Sequence, residues 1–305
     1  MTRNDNRVGI GAFFAALVGG VQWRLIVIWV LLMLLPTCAA VLPIKNVLGS
    51  VLDHSVHSAA WAKQFDMLPM FDAFMHIGKQ SAGIQGASAL AMLLTLLLAP
   101  FLTAMIVATL RAQRGLGFGE LMHGGLGDYW RLFRLMLWSL LPFGIAIGIA
   151  AAAFGWADKS AEAATLQAVA DSHHHIALWI AVLVLVLAHA TMESARAQLA
   201  ADPGLRSATR AFGRGFKMLL SRPLATLGLY LGTSVLGYAL VLLVGMWRIH
   251  TPAIGGVGTV LAFGLAQLIV VVLAWQRIAR LHGLTTLARA GGGARRGAYP
   301  SLATA

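Results

Sequence analysis

Long apolar segments alternate with short basic segments along the chain. Six of them are long and apolar enough to cross a hydrocarbon core of roughly 30 Å, which takes about 20 helical residues. They lie near Leu25 to Ile44, Ser88 to Leu110, Leu135 to Phe154, Ile176 to Met192, Leu224 to Met246 and Ala253 to Gln276. The pattern therefore predicts an all-α, polytopic integral membrane protein with six transmembrane helices.

A basic amphipathic pattern occupies the segment from Gly204 to Arg222, between the fourth and fifth predicted spans. On a helix, its basic positions fall within about 80° of one another, while its apolar positions cluster on another side. The basic positions are Arg206, Arg210, Arg214 and Lys217, and the apolar ones are Leu205, Ala208, Phe212, Phe216 and Leu219. Looser versions end at Trp130 to Leu132 and at Trp23 to Leu25. We expect these segments to be interfacial helices on the cytoplasmic side.

The second, fourth and sixth predicted spans end in similar basic sequences. Arg-Ala-Gln follows the second span at 111–113 and the fourth at 196–198, and Arg277 follows the sixth. The endings favour one transmembrane domain with three helix-hairpin repeats; the alternative is that unrelated helix ends carry Arg, Gln and Trp because membrane interfaces favour them. The predicted boundaries are 1–287 for the domain, 8–113, 114–198 and 199–287 for the repeats, 45–86 for an outside loop and 288–305 for a disordered basic tail.

The composition supports a membrane protein and the charge predicts its orientation. Hydrophobic residues make up 59% of the chain and charged residues 11%, far from the values of soluble globular proteins. If the N-terminus is cytoplasmic, eighteen Lys and Arg residues lie inside and five outside, the five being Lys45, Lys63, Lys79, Lys159 and Arg248. The positive-inside rule then predicts that both termini are cytoplasmic. It also accounts for the net charge of +12 without a nucleic-acid partner, and leaves anionic lipid headgroups as the expected partner.

A polar group marks the end of the fourth span. His189, Glu193 and Arg196 share one helix face, because they are spaced four and three residues apart. The first two residues suit a metal half-site or an acid/base pair. In the alternative interpretation, Glu193 pairs with Arg196 or another arginine and fixes the helix end. No third ligand is near in sequence, so we expect no metal.

Other candidate chemistry is weak. The predicted outside histidines, at 54, 57, 76, 173–175 and 250, match no metal signature, and the glycines between 115 and 127 lack the order of a phosphate loop, which favours a flexible connector. The six spans as drawn contain no Asp, Glu, Lys or Arg, which argues against an ion-coupled transporter. No catalytic motif is present, so we expect no enzymatic activity and no cofactor.

The six spans, the two RAQ endings and the segment RAFGRGFKMLLSRP at 210–223 resemble poorly characterised six-span bacterial inner-membrane proteins. These include the membrane domain of some glycerophosphodiester phosphodiesterases. The resemblance implies a bacterial inner-membrane location, but the 305 residues contain no counterpart of their soluble catalytic domain. Glu193-Ser194-Ala195 followed by Gly204 is also similar to the coupling loop of ABC importer permeases, although the glycine is too far from the glutamate for that motif.

Two functional hypotheses follow. In the first, a non-enzymatic inner-membrane protein binds anionic lipid or a partner protein through a basic cytoplasmic surface that comprises Arg206, Arg210, Arg214, Lys217, Arg131 and Arg134. In the second, the chain is a permease-like subunit that moves a small or lipidic substrate. A separate cytoplasmic ATPase then binds the loops at 111–132 and 196–222.

Overall fold

The protein is a polytopic, all-helical membrane protein. The computed structural model describes residues 4–52, 81–162, 167–251 and 255–297. In these ranges it has nine helices and no strand: α1 Asn4–Gly19, α2 Trp23–Leu52, α3 Ser81–Ala112, α4 Phe118–Trp138, α5 Leu140–Glu162, α6 Gln167–Ala201, α7 Ala208–Ser221, α8 Pro223–Ile249 and α9 Gly255–Gly297. Six segments are long and apolar enough to span a membrane: Trp23–Asn46, Gly83–Ala112, Phe118–Glu162, Asp171–Ala201, Pro223–Ile249 and Gly255–Gly291. The predicted fold class is confirmed.

Two helices extend into the predicted outside loop. α2 continues to Leu52 and α3 begins at Ser81, so both ends of the predicted loop at 45–86 are helical. The remaining residues, 53–80, lie outside the described part of the chain. The predicted outside location of this segment stays a prediction.

The last helix extends into the predicted disordered tail. α9 continues to Gly297, so residues 288–297 are helical, whereas 298–305 are not described. Arg289 gives a physical reason, because its guanidinium donates a hydrogen bond to the carbonyl of Leu110 at 2.8 Å. That carbonyl belongs to the last turn of α3, where backbone acceptors have no partner within their own helix. A contact with another helix therefore orders this part of the basic segment.

Most of the glycine-rich segment is helical rather than a flexible connector, since only residues 113–117 separate α3 from α4. α4 begins after Gly117, whose backbone N–H donates to the Glu120 carboxylate at 2.8 Å and thus gains a partner at the helix start. Gly124 lies against α3, where a Cβ in its place would be 2.5 Å from the Ala108 Cβ. The absence of a side chain thus allows close helix packing, which the local sequence does not reveal.

The contacts divide the chain into two compact units, which we describe separately. The first comprises residues 1–22, 103–237 and 275–305, and the second comprises 23–102 and 238–274. In the first unit, α5 packs along α6, and α7 packs on both α6 and α4. The boundaries do not coincide with the three predicted repeats, which stay a prediction.

Small residues hold α7 against α6. The helix begins after Ser207, whose hydroxyl accepts a hydrogen bond from the Arg210 backbone N–H at 3.3 Å and caps the first turn. Gly215 is buried so closely that an added Cβ would be 2.5 Å from the Ala195 backbone nitrogen. The buried residues of α7 are Ala208, Ala211, Gly215, Met218 and Leu219.

The large aromatic side chains of α7 are not buried against the neighbouring helices. Phe216 is 48% exposed, and Phe212 is half-buried and stacks on Trp138 with ring centroids 6.1 Å apart. The reason is steric, since Ala211 and Gly215 bring the backbones of α7 and α6 together and leave no room for phenylalanine rings between them.

We expect Gly215→Ala to destabilise the protein although alanine favours a helix. The new Cβ would meet the backbone of α6, and overpacking of this kind costs about 1–3 kcal/mol. The matched control is Gly213→Ala on the same helix, where no atom lies within 4 Å of the added carbon. There the helix propensity should stabilise by up to about 1 kcal/mol. Thermal unfolding of the two variants in detergent measures this, and equal melting temperatures would contradict the packing of α7.

Candidate functional site

A charged cluster is buried between α6 and α9 in the first unit. The side chain of Glu193 is only 1% exposed. Its Oε1 accepts a hydrogen bond from Arg196 Nη1 at 2.8 Å and another from Arg280 Nη2 at 3.4 Å. The predicted pairing of Glu193 with Arg196 is therefore present, and the second arginine comes from α9, far away in sequence.

Helix α8 joins this cluster through a hydroxyl and an aromatic ring. Arg280 Nη1 donates to the Ser234 hydroxyl at 3.2 Å, and its guanidinium lies 5.3 Å from the centroid of the Tyr230 ring. The Tyr230 hydroxyl shares a hydrogen bond of 2.8 Å with His189 Nδ1. The other imidazole nitrogen, Nε2, is 3.9 Å from Glu193 Oε1, too far for a hydrogen bond. His189 and Glu193 share a face as predicted, but they do not form a hydrogen-bonded acid/base pair.

Two further polar side chains of α9 reach neighbouring helices. The amide of Gln276 donates to the Ser234 carbonyl at 3.2 Å, and its side chain fills the space that a Cβ at Gly237 would need. Arg277 donates to the Thr103 hydroxyl of α3 at 3.1 Å. Sequence reasoning missed this set, although the segment QRIAR at 276–280 carries its signal, because Gln276 and Arg277 precede Arg280 by four and three residues at the end of an apolar run.

The cluster carries more positive than negative charge. Arg277 interacts electrostatically with both Arg196 and Arg280, so three guanidinium groups surround the single carboxylate of Glu193. An excess of positive charge disfavours a metal cation at this place. In the described part of the chain, no group of three or more His, Cys, Asp or Glu residues is arranged to hold a metal ion. The geometry favours an ionic lock between helices over the metal half-site.

A second ionic group contains one of the predicted binding residues. Asp128 of α4 pairs with Arg111 of α3 and, at 2.9 Å, with Arg131. Arg111 also donates to the Leu199 carbonyl at 2.6 Å, near the end of α6. The Arg131 side chain is only 18% exposed. It pairs with Asp128 of its own helix, and its contribution to the predicted binding surface stays a prediction.

The other predicted binding cations are exposed, namely Arg134, Arg206, Arg210, Arg214 and Lys217. Arg206 precedes the Ser207 cap, so the helix carries three cations of the predicted stripe rather than four. Arg214 pairs with Asp202 at 2.8 Å, and both side chains are about half exposed. We call these five residues the basic surface.

Three aromatic residues of α4 immediately precede Arg134 of the basic surface in the chain. Trp130 is 68% exposed, and its ring meets Phe133 edge to face with centroids 5.6 Å apart. Tyr129 stacks on the same phenylalanine with centroids 5.9 Å apart. Amphipathic rings near exposed cations are typical of the headgroup level of a membrane.

A groove opens between α4 and the start of α7. Its volume is about 510 Å³, and it is lined by Arg134, Leu137, Trp138, Arg206, Ser207, Ala208 and Thr209. Sequence reasoning names its two arginines but not the groove, because its two walls are far apart in the chain and meet only through packing of α7 on α4.

The fold and these charges define a polytopic, all-α membrane protein with a buried ionic cluster and an exposed basic surface. No protein-family model matches the chain, and neither a curated protein nor a solved structure is significantly similar to it. The site is therefore assigned from its geometry and chemistry.

We expect Glu193→Gln to destabilise the fold strongly. The isosteric amide leaves the guanidiniums without their counter-charge, and breaking a buried ion pair costs roughly 3–5 kcal/mol. The matched control is Glu120→Gln. It removes an exposed pair, in which the hydrogen bond from Arg114 to the carboxylate raises the pKa of that arginine. Screening by solvent makes such pairs weak, so thermal unfolding should change little. Equal stability of the two variants would contradict the lock.

Proposed function

We propose that this protein is a non-enzymatic protein of the bacterial inner membrane that binds anionic lipid headgroups through its basic surface on the cytoplasmic side. The observation that carries the proposal is the way α7 is packed. Its small residues lie against α6, and its cations are exposed. A cation near an anionic membrane surface contributes about 1 kcal/mol to binding.

The connections of α7 keep its cations close to the membrane. The helix follows the candidate span that ends at Ala201, and only Arg222 separates it from the span that begins at Pro223. A helix joined so closely to a span stays at the headgroup level, within the roughly 8 Å over which charges interact at physiological ionic strength. The exposed Trp130 of α4 supports the same position, because indole rings prefer this interface.

The charge distribution supports the orientation. Of the 23 Lys and Arg residues, eighteen lie on the side that carries the basic surface if the sequence-based topology holds. That side is the cytoplasmic one in our proposal, and both termini lie there.

A membrane-impermeant maleimide tests this orientation. Cys38 is the single cysteine, so Cys38→Ser provides a background without thiols. In that background we expect Thr209→Cys, at the exposed start of α7, to react only after spheroplasts are lysed. His250→Cys, exposed at the predicted outer end of α8, should react in intact spheroplasts. The reverse pattern would overturn the orientation.

A permease-like subunit remains the second candidate, and the buried cluster favours it. Glu193 and Arg280 lie on the candidate spans Asp171–Ala201 and Gly255–Gly291, whereas the sequence places both just beyond the spans. Ionisable groups on spanning helices often mark the path of a substrate or ion. In this alternative the cluster contacts a small or lipidic substrate, and a separate cytoplasmic ATPase drives transport.

One experiment tests the leading function. We expect Arg210→Gln/Arg214→Gln/Lys217→Gln to reduce the affinity for the phosphatidylglycerol that binds at high lipid concentration by about tenfold or more, since three favourable charges are lost. Native mass spectrometry of the detergent-solubilised protein, titrated with phosphatidylglycerol or phosphatidylcholine, measures it. The control removes three cations from the predicted outer side: Lys45→Gln/Lys159→Gln/Arg248→Gln.

The two candidate functions give different results. A preference for phosphatidylglycerol at high lipid concentration that the triple variant lacks and the outer-side control retains supports lipid binding. Equal binding by the wild type and the triple variant contradicts it. A stoichiometric ATP-binding subunit that stays bound after gentle extraction from the native membrane favours the permease instead.

A further inference from the structure

The groove between α4 and the start of α7 concentrates positive charge on a concave surface. Arg134 lines one wall and Arg206 the other, and the described residues that line the groove include no acidic side chain. Two guanidiniums at one recess, without a carboxylate to neutralise them, attract a group that carries negative charge. We propose that this groove binds the phosphate group of a single anionic phospholipid.

Both arginines are available for such a contact. In the part of the chain that the structure describes, neither guanidinium is in a salt bridge, whereas Arg214 nearby is paired with Asp202. Arg134 donates its Nε–H to the Trp130 carbonyl at 3.3 Å, one helical turn earlier. That hydrogen bond orients the side chain along α4 and leaves the terminal nitrogens for a ligand. A planar guanidinium binds phosphate oxygens in bidentate geometry, which an ammonium group does not.

The start of α7 adds to the attraction for an anion. Ser207, Ala208 and Thr209 line the groove, and they form the cap and first turn of a 14-residue helix. The N-terminal end of a helix carries a partial positive charge and backbone N–H groups without partners in the helix. The Ser207 hydroxyl accepts one of these hydrogen bonds, from Arg210. This contribution is secondary to the two guanidiniums.

The apolar wall identifies the anion as part of a lipid. Leu137, which is 50% exposed, and Trp138 line the groove beside the arginines. The Trp138 ring is held by stacking on Phe212 of α7, with 24° between the ring planes. A free phosphate ion would leave this apolar wall in contact with water. The glycerol backbone and first methylenes of a phospholipid would bury it. The volume of about 510 Å³ lies within the roughly 300–1,000 Å³ of small-ligand sites.

This inference rests on the proposed lipid binding and deepens it, because it separates one stoichiometric site from diffuse attraction by the other cations. Arg134→Gln/Arg206→Gln removes the two groove cations and leaves Arg210, Arg214 and Lys217 in place. The triple variant of those three residues does the opposite. The two variants together separate the groove from the rest of the basic surface.

The test is a native mass spectrometry titration of the solubilised full chain with phosphatidylglycerol. We expect the wild type to retain one lipid at low lipid concentration and the groove double variant to lose that first lipid, with its affinity reduced at least about tenfold. The triple variant should retain the first lipid and lose only the weaker, later ones. Arg134→Lys/Arg206→Lys should restore binding in part, since the charge returns without the bidentate geometry.

A second variant guards against a change in folding. Thr209→Trp fills the groove from an exposed position and keeps every cation, so it should displace the first lipid while the melting temperature is unchanged. Retention of the first lipid by both the groove double variant and Thr209→Trp would overturn the inference, whatever the triple variant shows. Equal binding of inorganic phosphate or glycerol 3-phosphate would overturn the assignment to a lipid and leave a site for soluble phosphate.

Discussion

The inner packing of the first unit depends on the requirement that a buried carboxylate be paired. Glu193 meets Arg196 of its own helix and Arg280 of α9, and Arg280 extends the pairing to Ser234 and the Tyr230 ring of α8. An unpaired charge in a low-dielectric interior is costly, so a displacement of α9 from α6 is opposed by electrostatics as well as by packing. Three helices are thereby coupled through one side chain that is 1% exposed.

The cations of the first unit are of two kinds. Arg111, Arg131 and Arg280 are engaged with carboxylates and largely buried. Arg111 and Arg280 join neighbouring helices, and Arg131 pairs within α4. Arg210 and Lys217 are exposed, because α7 turns its small residues towards α6. A simple count of positive charge treats both kinds alike. Only the exposed kind can meet a membrane surface, and the proposed lipid binding therefore rests on fewer cations than the charge bias contains.

The sequence predicts those contacts of the site whose two residues are neighbours on one helix. The pair of Glu193 and Arg196 follows from a separation of three residues on a helix, and it is present at 2.8 Å. The contribution of Arg280 was not predictable, because 87 residues separate it from the carboxylate. The glycines of α4 were misjudged for a related reason. Gly124 has a low helix propensity, but its close approach to Ala108 is a tertiary contact that outweighs it.

The sequence alone determined the class of protein, because six apolar segments of spanning length leave few alternatives to a polytopic helical membrane protein. It also determined where the basic residues are concentrated, since hydropathy and charge are properties of neighbouring residues. Only the tertiary structure decided which of these cations are buried, which helices share Glu193, and that Arg134 and Arg206 line one groove. These outcomes depend on contacts between residues far apart in the chain, and the shape of each contact is set by packing rather than by any local pattern.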